Sequence, residues 1–145
     1  MTAALGCILV MAVAGEICLK IDVKWYSALV KPVFMPSAFG FSVLVTLVYA
    51  CCAAVITRLV VKKKFFPYMA ALALSGELAA LYLSTVFRMK SLYGGAVVIL
   101  LLFAVSFFLE VRFAAEDRVL AVSYFPVLVF NGFCLVLSFV LALSN

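Results

Sequence analysis

Long apolar runs separated by short clusters of charge make up nearly the whole chain. Their polarity is continuous and does not alternate from one residue to the next, which argues against a membrane β-barrel. A helix that crosses a bilayer needs roughly 20 mostly apolar residues. On that measure the pattern predicts spans at 2–19, 41–61, 65–87, 92–109 and 119–143. Glu16 lies near the end of the first, and a connector at 20–40 precedes the second. Lys62, Lys63 and Lys64 end the second span, Arg88 and Lys90 the third, and Glu110 and Arg112 the fourth. Glu116, Asp117 and Arg118 lead into the fifth. The expected fold is an all-α integral membrane protein, one domain over 1–145, built as a bundle of five transmembrane helices with its termini on opposite sides. The first run has no basic segment before it and no evident cleavage site, so it is expected to be a retained span and not a removed signal peptide.

Composition agrees with that pattern. Of 145 residues, 70% are hydrophobic and 12% charged, against roughly half and a quarter in soluble domains. A soluble domain this small cannot hide so much apolar surface, so lipid must be its solvent. The net charge of +5 is spread over short connectors, with no basic face to track phosphates, and nucleic acid is excluded as a partner. Six Lys and Arg on one side against five on the other give only a slight positive-inside bias, toward a cytoplasmic N-terminus. The five cysteines lie in or beside apolar runs, without a CxxC pair, and the chain has no His. No metal site is expected, and the cysteines read as small polarizable packing residues.

Three spans carry a polar group at similar depth: Tyr49, with Thr46 one turn earlier, Glu77, and Asn131. A carboxylate at the bilayer centre costs about 2.5–3.5 kcal/mol, so Glu77 is expected to face the bundle interior or a wet cavity. Such groups either bond between helices, for about 0.6 kcal/mol each, or anchor a ligand in a cavity; a proton relay would need further titratable partners. Ala71, Ser75 and Ala79 form a small-residue stripe that lets helices approach closely, within the bundle or at a dimer seam. Arg118, Tyr124 and Val127 fit an inverted cholesterol-contact pattern of the kind that often matches by chance. No catalytic constellation appears: there is no His, no GxSxG elbow, no phosphate-cradling glycine loop and no second buried acid to pair with Glu77.

The stretch from Trp25 to Tyr49 has the most individual chemistry, with two prolines, two lysines and a run of aromatics leading into the second span. It resembles the connector of the translocator protein (TspO/MBR) family, also called tryptophan-rich sensory proteins or peripheral benzodiazepine receptors, which reads roughly WYxxLxKPxWxPPxWxFxPVWTxLY. Trp25, Tyr26, Leu29, Lys31, Pro32, Pro36, Phe41, Thr46 and Tyr49 match without a gap, and Phe34 and Phe39 stand where tryptophans are usual. In the fifth span Pro126, Leu128, Phe133, Leu137 and Asn145 fit a second family motif, with Phe130 in place of its tryptophan, Cys134 of its alanine and Ser138 of its internal asparagine. The family's third-span tryptophan falls at either Tyr82 or Ser84.

The resemblance implies a five-helix bundle, often a homodimer, that binds tetrapyrroles such as protoporphyrin IX in a cavity beneath the connector. Some members bind sterols or isoquinoline carboxamides. Porphyrin enters as ligand, and no resident cofactor is expected. By position the pocket would draw on Tyr26, Pro36, Val45, Tyr49, Phe130 and Cys134, with Thr46, Glu77 and Asn131 as candidate polar groups. The lid would carry Trp25, Lys31, Pro32, Phe34 and Phe39, with Lys31 either meeting a propionate or anchoring the connector. Porphyrin photodegradation in the family is tied to pocket tryptophans, and here Val45 and Phe130 replace them, leaving Trp25 alone in the chain. The expectation is a non-enzymatic sensory receptor in a bacterial cell membrane, or a mitochondrial outer membrane by resemblance alone. The rival readings are a small transporter of such ligands, a porphyrin-degrading enzyme and a structural scaffold.

Overall fold

The computed structural model describes residue 25 and residues 28–145. Within them all regular structure is helical: α1 (Ala38–Val61), α2 (Phe65–Leu83), α3 (Leu92–Glu116) and α4 (Arg118–Ser144), with a π-helical segment, Ser84–Arg88, prolonging α2. Among the described residues, four helices are long and apolar enough to cross a membrane. The expected first span at 2–19 and the connector through residue 24 lie outside the described residues.

Local chemistry sets each helix end. Ser37 caps α1, its Oγ accepting from the Gly40 N–H at 3.2 Å. At the other end the Lys63 N–H bonds to the Val60 carbonyl and the Lys64 N–H to the Leu59 carbonyl, the paired bonds of a Schellman motif. Lys63 takes the left-handed position usually given to glycine, with φ 57°. Pro67 falls in the first turn of α2, where its missing N–H breaks no helical bond. Ser91 caps α3 by accepting from the Gly94 N–H at 3.2 Å.

The expected fourth span ends at residue 109, and the helix that contains it is longer. α3 continues to Glu116, because Glu110, Arg112, Ala114 and Ala115 are good helix formers whose polarity marks the edge of the apolar zone without stopping the helix. Only Asp117 separates α3 from α4. Its N–H donates back to the Phe113 carbonyl at 2.8 Å, while its Oδ1 accepts from the Val119 N–H at 3.0 Å.

α3 and α4 run antiparallel along their lengths, with Phe113 beside Tyr124 and Ser106 beside Asn131. α1 packs on α4 and α2 on α3, whereas α1 and α2 scarcely touch. At the Asp117 end, Val55, Leu59, Tyr68, Leu109, Phe113, Leu120 and Tyr124 share one core. There Phe113 sits between two rings, 5.1 Å from Tyr68 and 5.3 Å edge-on to Tyr124. Toward the other end Ile99, Leu102 and Cys134 form a second core, bordered by Phe41, Tyr82 and Phe130. The outer surface is apolar, with Phe107, Phe108, Val122 and Val129 all exposed, as expected for a bundle facing lipid.

Ala71 packs on the first core, Ala79 on the second, and Ser75 bonds to the Leu72 carbonyl at 2.7 Å. The small-residue stripe therefore serves packing within the chain. Tyr124 and Val127 are 2% and 5% exposed. Two members of the cholesterol-contact pattern thus point into the core, and only Arg118 of the three is exposed.

An ion-pair cluster closes the Asp117 end. Asp117 Oδ2 receives Arg58 Nε at 2.9 Å and Lys62 Nζ at 2.5 Å, and Lys64 Nζ meets Glu116 at 3.2 Å. The Arg58 guanidinium, then the Lys62 ammonium, hold the Asp117 carboxyl well below the usual carboxylate range. A depressed folded-state value means that the unfolded chain binds the proton more readily. The contribution is complete above the unfolded value of about 3.9 and is lost as pH falls below it toward the folded value. In detergent, Asp117→Asn should unfold at a lower temperature than the parent near pH 7, and the gap should narrow below about pH 4. A gap that stays constant from pH 7 to pH 3 would show that the charge of Asp117 contributes nothing.

Candidate functional site

A cavity of about 160 Å³ opens between the two cores, walled by all four helices. α1 contributes Phe41, Val45, Tyr49, Cys52 and Ile56 among others, a single stripe one or two turns apart. α2 presents Leu72, Ser75, Gly76, Ala79 and Tyr82; α3 presents Ile99, Leu102 and Ser106; α4 presents Tyr124, Val127, Phe130, Asn131 and Cys134. Phe41 leans on Phe130, with ring centroids 5.8 Å apart, at the end nearer the connector.

Its few polar groups are mostly engaged with each other. Asn131 Nδ2 donates to Ser106 Oγ at 2.8 Å in a buried bond that ties α4 to α3. Tyr82 and Ser138 hydroxyls meet at 2.7 Å and tie α2 to α4. What remains is an apolar chamber with the Tyr49 hydroxyl, the Asn131 amide and two free thiols, Cys52 and Cys134, on its walls.

Of the residues expected at the site, Val45, Tyr49, Phe130, Asn131 and Cys134 come together here. Two placements need correction. Glu77 is exposed and does not border the cavity. At 3.6 residues per turn it lies roughly 140° round α2 from the middle of the lining face. Thr46 is likewise exposed, roughly 110° round α1 from its lining stripe. Pro36 is half-buried in the connector and does not line the cavity, and Tyr26 lies outside the described residues. Of the two candidates for the family's third-span aromatic, Tyr82 faces the cavity and Ser84 does not.

Phe41, Tyr82, Ser106 and Tyr124 complete the walls without having been singled out as site residues. For Phe41 a signal existed: it matches the connector motif and precedes Val45 and Tyr49 by one and two turns. Ser106 carried none, since a lone serine in an apolar run looks the same on any face.

The described part of the connector does not touch the cavity but is held to the bundle above it. A turn closes between the Pro32 carbonyl and the Met35 N–H at 3.0 Å. Trp25 is half-buried, Lys31 and Phe34 are exposed, Pro32 is half-buried, and the side chain of Phe39 lies outside the description. Asn145 then grips Val30 by its backbone: Oδ1 accepts the Val30 N–H at 2.9 Å, and Nδ2 donates to the Val30 carbonyl at 3.2 Å and to the Leu141 carbonyl at 3.1 Å. A primary amide is matched to that task because it offers a donor and an acceptor side by side. In Asn145→Ala the Val30 amide should exchange its hydrogen about tenfold faster, the worth of one or two hydrogen bonds. Unchanged exchange by mass spectrometry would show that the connector is held by other contacts.

No curated protein matches the chain. The TspO/MBR family profile matches residues 3–143, nearly its full length. With four helices of membrane-spanning length and composition and a lipid-facing apolar exterior, the conclusion is that this chain belongs to the TspO/MBR family of integral membrane proteins.

Proposed function

We propose that the protein is a membrane receptor that binds tetrapyrroles, or similar flat apolar ligands, in the chamber between its helices, and that it carries out no catalysis. The observation behind this reading is the chamber itself: apolar and aromatic walls from four helices with a few polar groups, the general form of a small-molecule site. A flat macrocycle suits rings such as Phe41, Tyr82 and Phe130, while Tyr49 and Asn131 offer it polar anchors.

Size sets a condition. About 160 Å³ is less than the 300–1,000 Å³ usual for such sites, so a whole macrocycle enters only if the walls part. The sparse contact between α1 and α2 makes that the seam that yields most cheaply. Transport would need a second exit, and the Tyr68–Phe113–Tyr124 stack fills the bundle at the Asp117 end. Receptor function is therefore favoured over passage through the chain.

A protoporphyrin IX titration in detergent, read by Trp25 quenching and the porphyrin absorption band, tests the site. Binding should saturate, yield to an isoquinoline carboxamide competitor, and weaken roughly tenfold or more in Phe130→Ala, given about 2 kcal/mol or more for an aromatic wall. Tyr49→Ala should weaken it in the same direction. Non-saturable uptake indifferent to competitor and to both variants would mean micelle partitioning and would sink the tetrapyrrole reading.

Photochemistry gives an independent check. Phenylalanine keeps a stacking face but lacks the indole N–H and the easier oxidation of tryptophan, and neither Val45 nor Phe130 is a tryptophan. Bound porphyrin should bleach under light no faster than free porphyrin in the same micelles. Faster bleaching that persists in Trp25→Phe would establish a degradative activity without tryptophan.

A further inference from the structure

With its walls as they stand, the central chamber offers about 160 Å³. An apolar protein cavity of about 150 Å³ takes up one benzene ring. The unmoved chamber therefore has room for a single aromatic ring or a fused pair, and for no larger plane. At the end nearer the connector Phe41 and Phe130 lie 5.8 Å apart with their planes tilted by 48°, and Tyr82 borders the same core. Rings set at such an angle leave faces and edges for a further ring to meet.

One acceptor on the wall is unspent. Asn131 is 7% exposed and lines the chamber. Its Nδ2 donates to Ser106 Oγ at 2.8 Å, while its Oδ1 has no hydrogen-bond partner among the described residues. Packing does not seal that oxygen off. A carbonyl oxygen in apolar surroundings without a donor is costly. In a chamber whose other walls are nearly all apolar, the donor has to arrive with the occupant. Phe130 and Asn131 are neighbours on α4 and both face the chamber, so one small ligand reaches ring and amide together.

We infer that the chamber, with its walls unmoved, binds a one- or two-ring aromatic that carries a ring N–H, the indole class. The rings lie against Phe41 and Phe130, and the N–H donates to Asn131 Oδ1. This rests on the chamber being a ligand site and not on its taking tetrapyrroles. Three analogues separate the contributions. Indene has the same shape and nothing to donate, N-methylindole has its nitrogen blocked, and carbazole keeps the N–H but adds a third fused ring. The site therefore ranks indole ahead of all three.

The test is fluorine NMR of fluoroindole with the full-length protein in detergent, against empty micelles, with competitors whose micelle partitioning is measured separately. A bound resonance should appear and saturate. Indole should displace it roughly threefold to tenfold more strongly than indene or N-methylindole, the worth of one hydrogen bond. Carbazole should displace it about tenfold less strongly than indole, the cost of overfilling a packed space. In Asn131→Leu the preference for indole over indene should vanish while indene still binds. That variant also loses the Ser106 bond, so the wild-type ranking decides by itself. Equal displacement by indole, indene and N-methylindole would overturn the inference, as would carbazole matching indole or the absence of a saturable resonance. Saturable fluoroindole binding beside non-saturable porphyrin uptake would uphold the inference and sink the tetrapyrrole reading; the reverse would sink the inference alone.

Discussion

Asp117 is the point on which the rest of the bundle is hung. Its backbone ends α3, one carboxylate oxygen starts α4, and the other holds Arg58 and Lys62 at the end of α1. One residue therefore fixes three helix ends relative to one another. An exposed ion pair in water is worth little, but here the same carboxylate also caps a helix whose first turn has orphan N–H groups to satisfy. Beneath it the Tyr68–Phe113–Tyr124 stack fills the space between helices. The result is a bundle closed firmly at one end, with its cavity displaced toward the other.

That asymmetry makes an apolar chamber compatible with a folded protein of this size. With lipid outside, apolar burial does little to drive the helices together, and close packing and interhelical hydrogen bonds must do it. Among the described residues, Asn131 to Ser106 joins the closely packed α4 and α3, and Tyr82 to Ser138 reaches across from α2 to α4. No comparable bond joins α1 to α2 among the described residues, so the wall they share is the loosest. The connector after Trp25 is held separately by the Asn145 amide on Val30.

The apolar runs were legible because hydrocarbon demands continuous hydrophobicity, and that demand is written directly in composition. Facing was much less so. Helices apolar all round carry no polar stripe to mark the outside: of the four polar residues grouped by depth, Tyr49 and Asn131 line the chamber while Glu77 and Thr46 face away from it. Motif register points to Val45, Tyr49, Phe130 and Cys134, which line the chamber, but also to Thr46 and Pro36, which do not. Glu110 and Arg112 mark a change of polarity, while the helix itself runs on to Glu116, because leaving hydrocarbon is no reason for a helix to end. Bonds such as Asn131 to Ser106 join residues far apart in sequence that each look ordinary alone.

The π-helical segment after α2 bears on how this chain tolerates change. Its widened turn, seen in the Met89 N–H bonded to the Ser84 carbonyl at 3.1 Å, holds one residue more than an α-helical turn would. Everything before it is therefore out of phase with everything after it. The segment is also clamped from the far side: the Ser91 N–H reaches the Thr85 carbonyl at 3.1 Å, and Gly95 admits Val86 where a Cβ would overlap its Cγ2. A widened turn held in that way cannot migrate along the helix to absorb a lost or gained residue. Between Tyr82 and Gly95 the spacing itself is the constrained quantity. Removing one residue there would rotate the Tyr82 ring away from Ser138 by about a quarter turn, although every side chain in both partners remained as it was.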